Sequence, residues 1–356
     1  VIDLHTHILP ERWPSWTARS GYAGWVELAH TNPGCARMMK TTSVDASTAP
    51  ISFRDVESNL WDPAVRLARM DATGVRVQVL STVPVMFSYW AKAEHADALA
   101  RLLNDHIAEV CRTHPGRFVG LGTLPMQDPQ RACAELERCV RELGMAGVQI
   151  GTHVNGHNLD EPGVRHVLCE AARLGACVFV HPWEMLAPER MARYWMPWLV
   201  GMPTETTIAI LSVLWGGVLD EAPDLRIAFA HGGGSLPGTL GRLSHGFDAR
   251  RDLFPRDAQP IESFLRDPSS GRAARFWVDA LVHEREALTR LIELMGPTRV
   301  AIGSDYPFPL GEDRPGALLD TMQGLSIADR ASIVEGAAMA FLGPSAACCG
   351  RRVVAQ

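Results

Sequence analysis

The sequence predicts an α/β fold, a single (β/α)8 TIM barrel, on two observations. Eight short apolar runs of β type recur along the 356 residues, and amphipathic helical segments separate them. Continuous apolar strands alternating with helices indicate parallel strands covered on both faces, and eight such units suit a closed barrel. An open doubly wound sheet is the alternative for the same alternation.

The first strand is read in VIDLH (1–5). The others follow in VRVQVLS (75–81), FVGLGTL (118–124), GVQIG (147–151), CVFVH (177–181), RIAFAH (226–231), FWVDA (276–280) and RVAIGSD (299–305). Among the intervening helices, DPQRACAELERCVRELG keeps apolar residues on one face and Arg/Glu on the other, with Gly144 as its stop signal. One connection is unusually long. Residues 11–60 separate the first strand from its helix and carry Trp13, Trp16, Tyr22, Trp25 and the β-like GWVELAH. A loop of that length is commonly functional or a small subdomain, and a β-rich insertion covering the barrel mouth is predicted. The catalytic domain is expected to span 1–343, leaving 344–356 as a C-terminal tail.

Composition narrows the function classes. A hydrophobic share of 47% with 21% charged residues describes a globular chain with a large core. The net charge of -6 argues against nucleic-acid and anionic-membrane partners. The most apolar run, IAILSVLWGGVL (208–219), is too short for a bilayer and reads as a buried helix. No charged segment leading into an apolar core opens the sequence, so no secretory signal is expected. The eight cysteines show no CxxC spacing, which fits a reducing cytoplasm.

The polar residues at the strand ends carry the chemistry. His5 and His7 end the first strand two residues apart, a spacing that turns both imidazoles to one face. His181, His231 and Asp305 end the fifth, sixth and eighth strands. Singly each has a bland explanation: satisfied core histidines, a helix cap, a turn aspartate. Together, at C-terminal strand ends that open on one barrel face, they indicate a metal site. Three imidazoles and a carboxylate suit one Zn²⁺ per subunit, or a similar divalent ion, with an open position for water.

The remaining residues sharpen this by exclusion. His95, His106, His114 and His166 fall in helical patterns and are expected to face solvent. His153 and His157 follow the fourth strand within reach of the barrel mouth but are expected to serve in a loop, while His245 and His283 lack a strand-end position. Lys40 and Lys92 are the only lysines, and neither sits at a strand terminus. That disfavours a lysine-bridged two-metal centre and Schiff-base chemistry. The glycines of FAHGGGSLPGTLGR (229–242) lack the spacing and lysine of a phosphate-binding loop. They are expected instead to let the chain turn tightly beside the metal.

The strand-end pattern joins longer motifs: DLHTHILP, WDPAVRLARMD, STVPVMFSYWAK, GLGTLPMQ, GVQIGTHVN, VHPWEM, YWMPWLVGMPTETTIAI, AHGGGSLPGTLGRLSHGF and GSDYPFPLGE. With these the chain resembles the metal-dependent decarboxylases of the amidohydrolase superfamily, from residue 1 to about 343. The resemblance implies zinc-dependent, non-oxidative decarboxylation of a small dicarboxylate. It puts His5, His7, His181 and Asp305 in the ligand positions, Asp305 counting among the catalytic residues as well. It makes His231 the acid/base residue and Arg54 the holder of a substrate carboxylate. Trp198 and Phe308 would line the pocket, whereas Trp195 is read as a core or interface aromatic. Arg242 would reach the neighbouring site of a homodimer. The segments TTSVDASTAPIS and RDAQPIESFLRDPSSGRAAR, and the tail, look longer than the family pattern. Competing readings are a metal-dependent hydrolase of an amide or lactone, a related aromatic-acid decarboxylase, and a non-catalytic metal-bound scaffold.

Overall fold

A computed structural model describes residues 1–343, so the predicted tail lies outside the described residues. The chain runs through β1 (Ile2–His7) into an antiparallel sheet of β2 (Val26–Asn32), β3 (Cys35–Lys40) and β4 (Ile51–Glu57). It continues with β5 (Val77–Ser81), β6 (Phe118–Gly122) and β7 (Gly147–Gly151), then a short hairpin of β8 (His153–Val154) and β9 (His157–Asn158). The last strands are β10 (Cys177–His181), β11 (Arg226–Phe229), β12 (Trp277–Asp279) and β13 (Val300–Ala301).

Eight of these, β1, β5, β6, β7, β10, β11, β12 and β13, pair in parallel in that order. The ring closes where Leu4 N–H donates to the Ile302 carbonyl at 2.8 Å and Asp305 N–H to that of His5 at 2.9 Å. The fold is a (β/α)8 barrel. Its helices start where the sequence supplies caps: Asp62 and Asp128 accept first-turn N–H groups ahead of Pro63 and Pro129, and Gly74 ends the first at φ 75°.

Two strands stop short of the site residues predicted to end them. The sixth ends at Phe229 and the eighth at Ala301, so His231 and Asp305 lie beyond the ladder. Both have φ 56°, a left-handed conformation that no extended strand can hold. Local backbone strain of this kind concentrates at functional sites.

The first strand holds a second departure. Its register against β5 slips between Asp3 and Thr6, a β-bulge. Ile2 and Leu4 pack in the barrel interior with Val77, Val79 and Phe179. Simple alternation would then turn His5 and His7 outward. The bulge turns them inward and leaves Thr6 on the outer side, where the buried Arg66 donates to its hydroxyl at 3.1 Å and to Gln78 at 3.1 Å.

The apolar run at 208–219 is buried only in part as one helix. Helix Met202–Trp215 ends at Gly216–Gly217, where Gly217 takes φ 75°, and a separate turn Val218–Glu221 follows. With the turn before it, Pro197–Trp215 is long and apolar enough to cross a membrane, but half of its most apolar window is buried in the fold.

Of the histidines expected to face solvent, only His166 is exposed. His95 contacts the Tyr22 hydroxyl at 2.9 Å, and His114 its own helix carbonyl at Val110. His106 shares the inner stripe Leu99–Leu103–His106–Val110 of helix Ala93–Thr113, its Nε2 buried without a partner. Burial lowers it to about 4. An unfolded histidine titrates near 6.5, so the unfolded chain takes the proton first and stability falls as pH drops from about 6.5 toward about 4. The share belonging to His106 is up to about 3 kcal/mol. Urea unfolding at pH 7 and pH 4.5 should show a smaller acid loss in His106→Leu. An unchanged loss would assign it to other groups.

Candidate active site

The bulged first strand and the strained turns after β11 and β13 bring the predicted residues to one end of the barrel. Single ligand atoms of His5, His181, His231 and Asp305 lie within 4.8 Å of one another. His7 joins them, its Nε2 3.2 Å from His5 Nε2 and 3.0 Å from Asp305 Oδ1. The Asp305 oxygen is 3.4 Å from His5 Nε2. The His231 ring centroid stands 4.9 Å from that of His181 and 5.3 Å from that of His5.

The outer nitrogens settle which atoms carry protons. His7 Nδ1 lies 2.9 Å from the Thr82 carbonyl and His181 Nδ1 2.9 Å from that of Pro182. A carbonyl only accepts, so both Nδ1 atoms donate and both Nε2 atoms are bare. His5 Nδ1 donates to the Asp279 carboxylate at 2.8 Å, so Nε2 is bare in the neutral ring. Burial lowers the His5 pKa, but the Asp279 bond and the Asp305 charge outweigh it and raise the pKa overall. This nitrogen therefore holds a proton more readily than the other two where no metal ion displaces it. With the rings neutral, three lone-pair nitrogens face the Asp305 carboxylate in a buried space, and His181 Nε2 has no hydrogen-bond partner among the described residues. Such an arrangement repels itself unless a cation sits within it. The donor set, neutral imidazoles with outer N–H groups anchored, is the one that zinc and similar divalent ions take.

Electrostatics follow the same geometry. Burial alone would raise Asp305, but the His7 hydrogen bond and the neighbouring histidines hold it at about 2. Burial lowers His181 well below its usual value, and it lowers His231 to about 4 with help from His5. His231 is thus a neutral imidazole at pH 7. Its ring makes no hydrogen bond among the described residues.

Over the cluster lies a cavity of about 680 Å³, lined by His7, His181, His231 and Asp305 and otherwise mostly apolar. That is ample for a small ligand. Arg54 enters it from β4, in the antiparallel sheet that follows β1. Its guanidinium sits 4.4 Å from the Phe308 ring centroid and 5.6 Å from that of Trp198, cation–π distances. It has no ion pair or hydrogen bond among the described residues. Trp195 lines the cavity too, 5.8 Å from Trp198, rather than being a core aromatic. Arg242 does not reach it. This residue is exposed on helix Leu236–Ala249, outside the cavity lining.

The amidohydrolase family profile matches residues 2–343. The chain belongs to the amidohydrolase family. It is 49% identical to a Dictyostelium discoideum protein named 2-amino-3-carboxymuconate-6-semialdehyde decarboxylase, over 96% of this chain and 91% of that one. A Caenorhabditis elegans protein of the same name is 37% identical over 94% and 92% of the two chains. Among solved structures, a manganese complex of 5-carboxyvanillate decarboxylase from Novosphingobium aromaticivorans superimposes with a TM-score of 0.70. That match has 27% identity over 80% of this chain and 81% of that one. These likenesses mark this amidohydrolase-family chain as an enzyme of the carboxy-lyase class.

Sequence reasoning passed over two residues that the fold places against the site. Asp279 was legible only as part of the apolar run FWVDA, yet its carboxylate touches His5 and the His231 turn. Arg66 donates to the His7 carbonyl at 2.7 Å and so braces the end of β1 from outside. A charged residue inside an apolar strand, as in FWVDA, was the available signal. If His5 Nε2 is a metal ligand, His5→Ala should lose bound divalent metal, measured by elemental analysis after dialysis against the parent. Full occupancy in the variant would remove His5 from the ligand set.

Proposed function

We propose that this chain is a cytoplasmic, zinc-dependent decarboxylase of 2-amino-3-carboxymuconate 6-semialdehyde, forming 2-aminomuconate 6-semialdehyde. The reaction belongs to tryptophan degradation through the kynurenine pathway, where it competes with spontaneous cyclisation to quinolinate. The observation that carries this reading is Arg54, a largely buried cation that lines the same apolar cavity as the histidine cluster. It has no ion pair among the described residues, and only the more distant Asp305 carboxylate acts on it. A guanidinium so placed suits a substrate carboxylate, which it can grip with paired, charge-assisted hydrogen bonds. The similarity to the named relatives supports the particular substrate.

His5, His7, His181 and Asp305 would hold the ion. When bound, zinc supplies a positive charge at the reacting centre and can lower the pKa of a water to about 7. The protein's own part is orientation and proton transfer. Arg54 fixes one carboxylate while Trp198 and Phe308 flank its guanidinium, so the other carboxylate is presented to the cluster. His231, neutral at pH 7, takes up a proton from solvent water at its bare ring nitrogen and delivers it to the substrate carbon that bears the leaving carboxylate. Each turnover thus consumes one solvent proton. The carbon–carboxylate bond then breaks, CO₂ leaves, and the transferred proton occupies its place.

Arg242 is assigned to the neighbouring subunit's cavity in a homodimer. Its exposure, with no ion pair among the described residues of its own subunit, supports this. The likeness to 5-carboxyvanillate decarboxylase favours a second reading, an aromatic acid as substrate. Zinc-loaded protein should accelerate the absorbance decay of freshly generated aminocarboxymuconate semialdehyde, with trapped CO₂ matching the decay. No acceleration over cyclisation defeats the proposal. CO₂ release from a hydroxybenzoate alone would install the second reading, and amide or lactone opening without CO₂ a hydrolase.

His231→Ala should keep zinc and lose about 10²- to 10⁴-fold in rate, the range of general acid–base catalysis. A zinc-loaded variant of undiminished rate would refute the assigned role. Mixed dimers place Arg242. Subunits with His231→Ala and subunits with Arg242→Ala should regain activity on mixing, because one site per hybrid dimer becomes complete. No recovery would put Arg242 outside the neighbour's site.

A further inference from the structure

Asp279, at the end of β12, is completely buried, and every atom of its carboxylate is used. Oδ2 accepts from His5 Nδ1 at 2.8 Å and from the His231 N–H at 3.0 Å. Oδ1 accepts from the Gly232 N–H at 2.8 Å and the Leu281 N–H at 3.2 Å. No lysine or arginine among the described residues pairs with it. We propose that Asp279 is a positioning residue that holds His5 in its metal-ligating tautomer and, with the same carboxylate, fixes the turn that aims His231. The inference rests on the metal-dependent reading of the site given above.

The first half follows from proton accounting. His5 can present a bare Nε2 to an ion only while its proton stays on Nδ1, and an ionised carboxylate keeps it there. The second half follows from the backbone. His231 and Gly232 take φ 56° and 63° in succession, so two consecutive N–H groups converge on one anion, the arrangement of an anion-binding nest. The turn cannot easily relax elsewhere. A Cβ on Gly232 would stand 2.3 Å from Val282 Cγ1, and one on Gly234 2.2 Å from the Pro203 carbonyl oxygen. Behind the pair there is no slack either, since a Cβ on Gly303 would come within 2.8 Å of both the His5 and the Asp279 Cβ. Asp279 therefore links a ligand and the proton-transfer residue into one rigid unit.

Charge gives an independent reason for a carboxylate here. A divalent ion among three neutral imidazoles and Asp305 keeps one uncompensated positive charge in a buried space. The Asp279 anion, one imidazole away, offsets it.

Asp279→Asn is nearly isosteric but cannot serve four donors. With its oxygen on Gly232 and Leu281, the amide NH₂ meets the His231 N–H and forces His5 Nδ1 to accept. The imidazole proton then moves to Nε2, where an ion would bind. With the amide flipped, the NH₂ meets Gly232 and Leu281 instead. Chelator competition on the zinc-loaded protein should show affinity about 10- to 100-fold weaker in the variant, as for other partners of ligating histidines. At saturating zinc, kcat rather than KM should stay depressed.

A role in stability alone would lower the unfolding midpoint and leave zinc affinity unchanged, and that result overturns the proposal. Should the variant not fold, nitrogen-15 imidazole spectra of the zinc-loaded parent decide. A proton on His5 Nδ1 with metal at Nε2 supports the proposal, and the reverse tautomer refutes it. A parent that takes up no divalent ion fails earlier and removes the metal-dependent reading itself.

Discussion

Unshared electron pairs that point at one another in a dry space impose the governing constraint on this molecule. Nε2 of His5, His7 and His181 and an oxygen of Asp305 converge with almost no room between them. Each would be more comfortable in water. They are kept together because each outer imidazole nitrogen is already committed, to Asp279, to the Thr82 carbonyl and to the Pro182 carbonyl. Bulge, strained turns and glycine run all serve that convergence.

The barrel divides this labour by position. The metal-facing groups come from β10, β1 and the turns after β11 and β13, with Asp279 on β12, neighbours around one arc of the ring. The opposite arc supplies support rather than ligands. Ser81, Thr82 and Gln149 form a polar network there, with Ser81 donating to Gln149 at 2.6 Å and Gln149 to the Thr82 carbonyl at 3.0 Å. That carbonyl is the one that orients His7. Gln149 stands at the middle of β7, the fourth barrel strand. Its amide works as a brace. The cavity roof comes from elsewhere again, the sheet of β2, β3 and β4 carrying Arg54.

Much of this was written in local pattern, and what was not is physically intelligible. Strand order follows from hydrophobic runs, and β7 and β10 match their predicted limits. His5 and His7 were found by their period of two, but that period alone would have turned them away from Ile2 and Leu4. The bulge between Asp3 and Thr6 reconciles the two, and a bulge leaves no residue signature of its own. Strand ends at β11 and β13 were overrun because His231 and Asp305 occupy left-handed backbone that ordinary residues seldom adopt. His106 was misplaced although its stripe with Leu99, Leu103 and Val110 was countable. Asp279 escaped because its partners are distant in sequence, and a lone acid in FWVDA does not announce which nitrogens it will meet. Arg54 was reached by resemblance rather than by pattern; its aromatic clamp comes from Trp198 and Phe308, on opposite sides of the fold in sequence terms.

The Arg54 guanidinium, which forms no ion pair among the described residues, has a further consequence on the proposed reaction. Its attraction is strongest for the species that enters and weaker for the one that leaves, because loss of neutral CO₂ removes one anionic group from the molecule. The apolar walls, which screen little, enlarge that difference. A pocket so charged would loosen its hold on what it has made without moving any part of itself, and turnover would clear the site by electrostatics alone.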